Sequence, residues 1–172
     1  MRTPRKLRLE SDLYESALRA LVRRAHSVHE MKQTLERRAE LKALVQPVLE
    51  RLKRAGLLDD ARYAKQFARQ RSEIRRQGKF RIARDLRARG VPDRHIEAAL
   101  EEISEAGDEA ALVRQRIARK LKLLRGEIDQ RKIASLYRSL LRAGFPTDII
   151  RRELRAMTKE DVPDLPDTSG EL

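Results

Sequence analysis

The feature that most constrains this chain is an internal repeat. The segment Leu86-Arg87-Ala88-Arg89-Gly90-Val91-Pro92 returns as Leu140-Leu141-Arg142-Ala143-Gly144-Phe145-Pro146 at a constant offset of 54 residues (144 − 90), and the match runs on through Ile96/Ile150 and Leu100/Leu154. Shifted the other way by 51 residues, Met31 falls under Ile82, Leu35 under Leu86, Val45 under Ile96 and Leu49 under Leu100, with Ala39 where the glycine stands. A period of roughly 50 residues with apolar positions at helical spacing belongs to arrays in which each unit exposes a stripe that its neighbour buries. The expected fold is all-α: a tandem array of three three-helix repeats, elongated or curved, over residues 11–56, 57–106 and 107–157. We expect a basic flexible arm at 1–10, which holds Pro4, and an acidic disordered tail at 158–172, which holds Pro163, Pro166 and little apolar content.

Helix boundaries follow from local chemistry. One apolar stripe is Leu13, Ala17, Ala20 and Leu21, and the next is Val28, Met31 and Leu35. Ser27-x-x-Glu30 at their junction is a capping box, in which hydroxyl and carboxylate each accept a backbone N–H left over at a helix start. A third stripe, Leu41, Leu44, Val45, Val48, Leu49 and Leu52, ends at Gly56; Pro47 inside it predicts a kink or a helix beginning near it. Asp59 and Asp60 read as structural caps of the following helix. That helix carries Ala61, Ala64, Phe67, Ala68, Arg71 and Ile74, and Gly78 breaks it. Gly90 and its copy Gly144 suit the left-handed turn after a helix, and Pro92 and its copy Pro146 open the helix that follows.

Charge bears on partners. Forty Lys and Arg against 27 Asp and Glu leave a net +13, and only 3% of the chain is aromatic. Such a balance points to a polyanionic partner: nucleic acid, an acidic protein surface, or a filament of both. The candidate contact face comprises Arg75, Arg76, Lys79, Arg81, Arg84 and Arg87 in the second repeat. In the third it comprises Arg114, Arg116, Arg119, Lys120, Lys122 and Arg125, on a helix whose apolar stripe is Leu112, Ile117, Leu121 and Leu124, so that the charges point to solvent. The acidic run Glu97, Glu101, Glu102, Glu105, Asp108 and Glu109 reads as a solvated helix face. Scarce aromatic residues disfavour sequence-specific reading of single strands.

Several chemistries are excluded. With no cysteine there is no disulfide framework, no thiol nucleophile and no Cys-based zinc site. His26 and His29 are three apart, but His95 is the one remaining histidine and Ser27 between them serves better as a cap. No Gly-rich phosphate loop occurs. No catalytic constellation, metal site or cofactor is expected. The basic start lacks the apolar core of a signal peptide, and no apolar run reaches the ~20 residues that span a bilayer, so the expectation is a cytoplasmic monomer with no membrane partner.

Three segments carry a family resemblance. Ala17-Leu18…Leu21-Val22-Arg23-Arg24-Ala25-His26-Ser27-Val28-His29-Glu30-Met31…Leu35, then Gly56-Leu57-Leu58-Asp59-Asp60-Ala61-Arg62-Tyr63-Ala64, then Gly78-Lys79-Phe80-Arg81-Ile82…Leu86…Gly90 resemble, in order and spacing, the RecX family, the regulators of the RecA recombinase. The resemblance spans about residues 12 to 156; Ala39, where relatives carry Lys-Gly after the second helix, and Pro47 depart from it. It implies tandem three-helix repeats and no catalysis. It further implies binding along a RecA filament on single-stranded DNA, with naked DNA bound weakly, and inhibition of RecA ATPase, strand exchange and coprotease activity. A non-specific nucleic-acid-binding helical module is the alternative.

Overall fold

The computed structural model describes residues 6–123 and 128–158. Among them are nine α-helices and no β-strand: α1 (Glu10–Arg23), α2 (Val28–Arg38), α3 (Val45–Arg54), α4 (Asp60–Glu73), α5 (Lys79–Arg87), α6 (Asp93–Ala106), α7 (Glu109–Leu123), α8 (Gln130–Arg142) and α9 (Thr147–Thr158). They group as three repeats of three helices. The chain divides into two compact units, one of residues up to Phe67 with Asp85–Ala99, the other of Ala68–Arg84 with residues from Leu100 onward. Helices α4, α5 and α6 each contribute to both units.

The first unit is built on α1 to α3. Its core is Leu13, Ala17, Met31, Leu35, Val45, Val48, Leu49 and Leu52, joined by Leu58. These are the periodic positions of the sequence, each removing apolar surface worth roughly 1.5–3 kcal/mol for a Leu, Val or Met. Leu41, expected in the third stripe, is instead 63% exposed, because it precedes a 3₁₀ turn (Lys42–Leu44) that leads into α3. Pro47 lies in the first turn of α3, where its missing N–H has no helical partner to lose. Residues 6–10 of the expected flexible arm are tied down, a correction to that reading. Leu7 donates its N–H to the carbonyl of Arg38 and accepts from Glu40 N–H (2.8 and 2.9 Å), and Lys6 Nζ reaches the carbonyl of Arg37 at 2.8 Å. Ala39 ends α2 in extended backbone and so offers an edge that Leu7 can pair with.

The second unit has its core in α7, α8 and α9, formed by Val113, Ile117, Leu136, Tyr137, Leu140, Phe145, Ile150 and Leu154. On α7 the deeply buried positions are Ala110, Val113 and Ile117; of the stripe expected from sequence, Ile117 is core, Leu112 and Leu121 are half-buried and pack against that core, and Leu124 lies outside the described residues. Ile74, counted from periodicity as apolar core, is 73% exposed, because α4 ends at Glu73 and the chain turns away.

Each unit contains one junction of the same design. In the first, Ser27 at the start of α2 donates its hydroxyl to the carbonyl of Arg89 (2.6 Å), and Asp60 accepts the N–H of Val28 at 2.9 Å. In the second, Gly78 before α5 donates its N–H to the carbonyl of Ala143 (2.9 Å), and Glu109 accepts the N–H of Lys79 at 3.3 Å. Ser27 and Gly78 stand 51 residues apart, Arg89 and Ala143 54, the two offsets of the sequence repeat. Gly90 and Gly144 have φ of +68° and +88°. Each closes a helix in the left-handed region that glycine occupies without cost. A Cβ there would overlap the His29 side chain in the first unit and the backbone of Arg81 in the second.

Candidate functional site

The repeated junction accounts for the structural motif residues. Ser27 and Glu30 form the capping box: Ser27 Oγ accepts from Glu30 N–H at 3.1 Å and Glu30 Oε2 from Ser27 N–H at 3.2 Å. Glu30 also binds Arg24 (3.0 Å) and Arg89 (3.9 Å), and Tyr63 donates to it at 3.4 Å. Burial works to raise the Glu30 carboxyl, but the bonds from Arg24 and Ser27 outweigh it and hold it below the usual carboxylate range. Asp59 caps α4 through Arg62 N–H at 3.0 Å. Asp60 does something else: its carboxylate serves the N-terminus of α2, not of its own helix. Asp108 and Glu109 repeat the division in the second unit, Asp108 accepting the N–H of Ala110 (2.9 Å) and Glu109 that of Lys79. Glu109 is therefore no part of a solvated acidic face; burial pushes its carboxyl up, against the pull of Lys79 at 3.7 Å. The shared Asp-Asp-Ala and Asp-Glu-Ala pattern was the signal available in the sequence. Pro92 is exposed before α6, and Pro146 is buried before α9.

The candidate basic residues separate into two sets. Some are bonded within the protein, three of them by carboxylates. Lys79 pairs with Glu109, Arg87 with Asp93 at 2.7 Å, and Arg114 with Asp108 (3.0 Å) and with the buried Glu153 (3.1 Å). Arg81 donates to the carbonyl of Arg142 at 2.9 Å. Arg125 lies outside the described residues. The others converge or stay open. Arg75, Arg76, Arg116, Arg119 and Lys120 line a single cleft of about 230 Å³ between the C-terminal turn of α4 and α7, within the second unit. Five of its eight lining side chains are basic and none is acidic. Arg84 and Lys122 are exposed and form no ion pair among the described residues.

Arg116 is not the solvent-pointing base expected from the helical wheel. It is half-buried, and its Nη1 donates to the carbonyl of Arg76 at 2.7 Å. Burial, with Arg81 and Arg119 nearby, lowers its pKa from the ordinary guanidinium value. Periodicity did not identify the cleft's apolar members, Ile74 and Leu112, because both occupy positions that would be core if α4 ran one turn longer or α7 faced one residue over. Among the described residues no group of three or more His, Asp or Glu side chains could hold a metal ion, and no helix is long and apolar enough to cross a membrane.

Comparison with known proteins places this architecture. The fold matches the crystal structure of RecX from Lactobacillus salivarius with a TM-score of 0.75 over 88% of this chain and 97% of that one, at 20% identity. The family model for the second three-helix domain of RecX matches residues 59–100, which begin at the Asp59 cap. The regulatory protein RecX of Halorhodospira halophila is 38% identical over 148 residues, 86% of this chain and 89% of the relative. That of Prosthecochloris aestuarii is 34% identical over 131 residues, 76% and 83%. With a capping junction that recurs in two copies and a likeness to these relatives over most of its length, the chain belongs to the RecX family of regulatory proteins.

Proposed function

We propose that this chain is a negative regulator of homologous recombination and DNA repair, which binds the RecA–single-stranded-DNA filament and inhibits RecA ATPase, strand exchange and coprotease activity. Family membership is the observation that carries this reading. The side chains agree with it: a cleft of the second unit gathers five bases, held in place by helices. A binder of this kind acts as a cytoplasmic, non-enzymatic ligand. It shifts the filament by favouring one state over another, and many weak ionic contacts add along successive subunits.

The test is a pull-down on RecA-coated against bare single-stranded DNA, paired with RecA ATPase on the same DNA. The expected result is preferential capture by the coated strand and a slowed ATPase. Equal capture by bare DNA with unchanged ATPase would instead make the chain a plain nucleic-acid-binding module.

A further inference from the structure

We propose that the α4–α7 cleft of the second unit is a seat for the phosphodiester backbone of a single-stranded nucleic acid, gripped by Arg75, Arg76, Arg116, Arg119 and Lys120 with Ile74 as an apolar rest for an unpaired nucleotide. This deepens the regulator reading by naming what one site holds, and its biological setting rests on that reading.

The first support is electrostatic. Five like charges converge on one cleft, and no carboxylate lines it. Cations at a helix C-terminus are ordinary, since they complement the dipole. That explains why Arg75 and Arg76 follow α4 and why Arg119 and Lys120 lie near the end of α7, but not why two such ends meet without an acid between them. Elsewhere in the same unit the protein does supply acids: Arg114 has Asp108 and Glu153, Lys79 has Glu109, and Arg69 has Glu102 at 2.8 Å. The neighbouring groove, which shares Arg76 and Leu112, carries Glu73, Glu102 and Asp108. The anion seat thus lies on the side of Arg76 that faces Arg116, Arg119 and Lys120. Arg81 adds to the deficit, its Nε buried without an acceptor among the described residues.

The second support is the backbone. The left-handed turns at Gly56, Gly90 and Gly144 all use glycine, whereas α4 turns at Arg76 with φ +52°. Arg76 donates its N–H to the carbonyl of Ser72 and Gln77 donates to that of Arg71, the bonds of a helix end that glycine would make with less strain. A strained non-glycine residue whose side chain lines the cleft, and whose carbonyl orients Arg116 at 2.7 Å, is held there for its side chain. Guanidinium groups match phosphate oxygens in pairs, and four of the five cations are arginines. The exposed Ile74 and half-buried Leu112 select for a strand whose base faces are free, because a duplex hides those faces in its own stack.

The experiment uses the full chain and fluorescence anisotropy with a labelled oligothymidylate, a duplex of equal length, and poly-glutamate as a competitor. Arg119→Gln with Lys120→Gln should weaken single-strand binding roughly tenfold, and the dependence of log K on log salt should become shallower by about 0.7 for each cation that no longer meets a phosphate. Arg76→Gly should weaken binding while the melting temperature holds or rises. Ile74→Ser should weaken single-strand binding more than duplex binding. Arg138→Gln, exposed on α8, should change nothing. Wild-type affinity in the folded double variant overturns the proposal, and an equal loss on duplex from Ile74→Ser overturns its single-strand part. Poly-glutamate displacing the oligonucleotide charge for charge, and losing affinity in the same variants, would give the cleft to an acidic protein segment. RecA ATPase separates this from the regulator reading. Slowing by wild type and cleft variants alike, with oligonucleotide affinity also unchanged, defeats the cleft alone. Oligonucleotide binding that follows the cleft without any slowing leaves the cleft standing and defeats the regulator.

Discussion

In the first unit the start of α2 is held by side chains, Ser27 on the carbonyl of Arg89 and Asp60 on the N–H of Val28, and Glu30 gathers Arg24 and Arg89 around the joint. In the second unit the start of α5 is held by the bare backbone of Gly78 on Ala143, and Glu109 gathers only Lys79. The two joints share one geometry: Ser27, Val28 and Arg89 correspond to Gly78, Lys79 and Ala143 at the repeat offsets of 51 and 54, and Glu109 takes the place of Asp60 at an offset of 49. They differ in what they do with charge. The first commits carboxylates to its arginines and stacks Arg89 over Phe67 at 4.8 Å. The second closes mostly through main chain and leaves Arg75, Arg119 and Lys120 with no ion pair among the described residues. A joint made from backbone frees side chains for a partner.

The glycines give the sharpest way to break this comparison. Gly144→Ala places a methyl against the Arg81 backbone in a left-handed turn, and an expected loss of about 2–5 kcal/mol combines overpacking with strain. Gly90→Ala meets the His29 side chain, which can shift, so roughly 2–3 kcal/mol is expected. Gly56→Ala meets nothing within 4 Å and should cost about 1 kcal/mol from φ alone. Urea unfolding orders the three; equal losses would mean that close approach at the joints is unimportant.

A smaller effect separates the two kinds of closure. Ser27→Ala strands the carbonyl of Arg89 and the N–H of Glu30 in a site with no solvent exposure, for about 1–3 kcal/mol in chemical denaturation. A neutral result would show that the joint in the first unit does not depend on its side-chain bonds.

Acid probes the same contrast. Glu30, Asp59 and Asp108 titrate below their ordinary values. Burial opposes the lowering at Glu30 and Asp108 and is outweighed by bonds from Arg24 and Ser27 at the first and from Ala111, Ala110 and Arg114 at the second; at Asp59 the N–H of Arg62 leads. A lowered carboxyl stabilises the fold fully above its unfolded pKa, and that contribution is lost as pH falls through the folded pKa. Glu109 has the opposite sign, its pKa raised, so its contribution is present below the unfolded value and lost as pH rises through the folded one. Glu30→Gln should therefore flatten the acid limb of a melting-temperature profile, and Glu109→Gln should not; the reverse would move the pH-sensitive joint to the second unit.

The smallest stability effects belong to the cleft. Arg119→Gln and Lys120→Gln should stay within about ±0.5 kcal/mol of wild type by thermal melting. Arg89→Gln, deprived of its ring stacking and of Glu30, should cost about 1 kcal/mol. Equal stability for all three would remove the distinction between structural and free bases.

Periodicity and punctuation were enough to determine the nine helices of the described residues, their grouping in threes and the positions of most of the core, because burying a stripe every 3.6 residues leaves a one-dimensional trace. Capping was legible for the same reason at Ser27 and Glu30, whose bonds span three residues. The role of Asp60 was not, because it serves a helix 32 residues away and nothing local distinguishes that from a cap of its own helix. Nor could composition tell a paired arginine from a free one. Arg114 and Arg119 are equal charges on one helix, and only the packing of α7 against α9 brings Glu153 to the first and leaves the second in the cleft. Charge pairing acts over a few ångströms of space, so it is decided by tertiary neighbours, whereas helix formation and burial are set by neighbours along the chain.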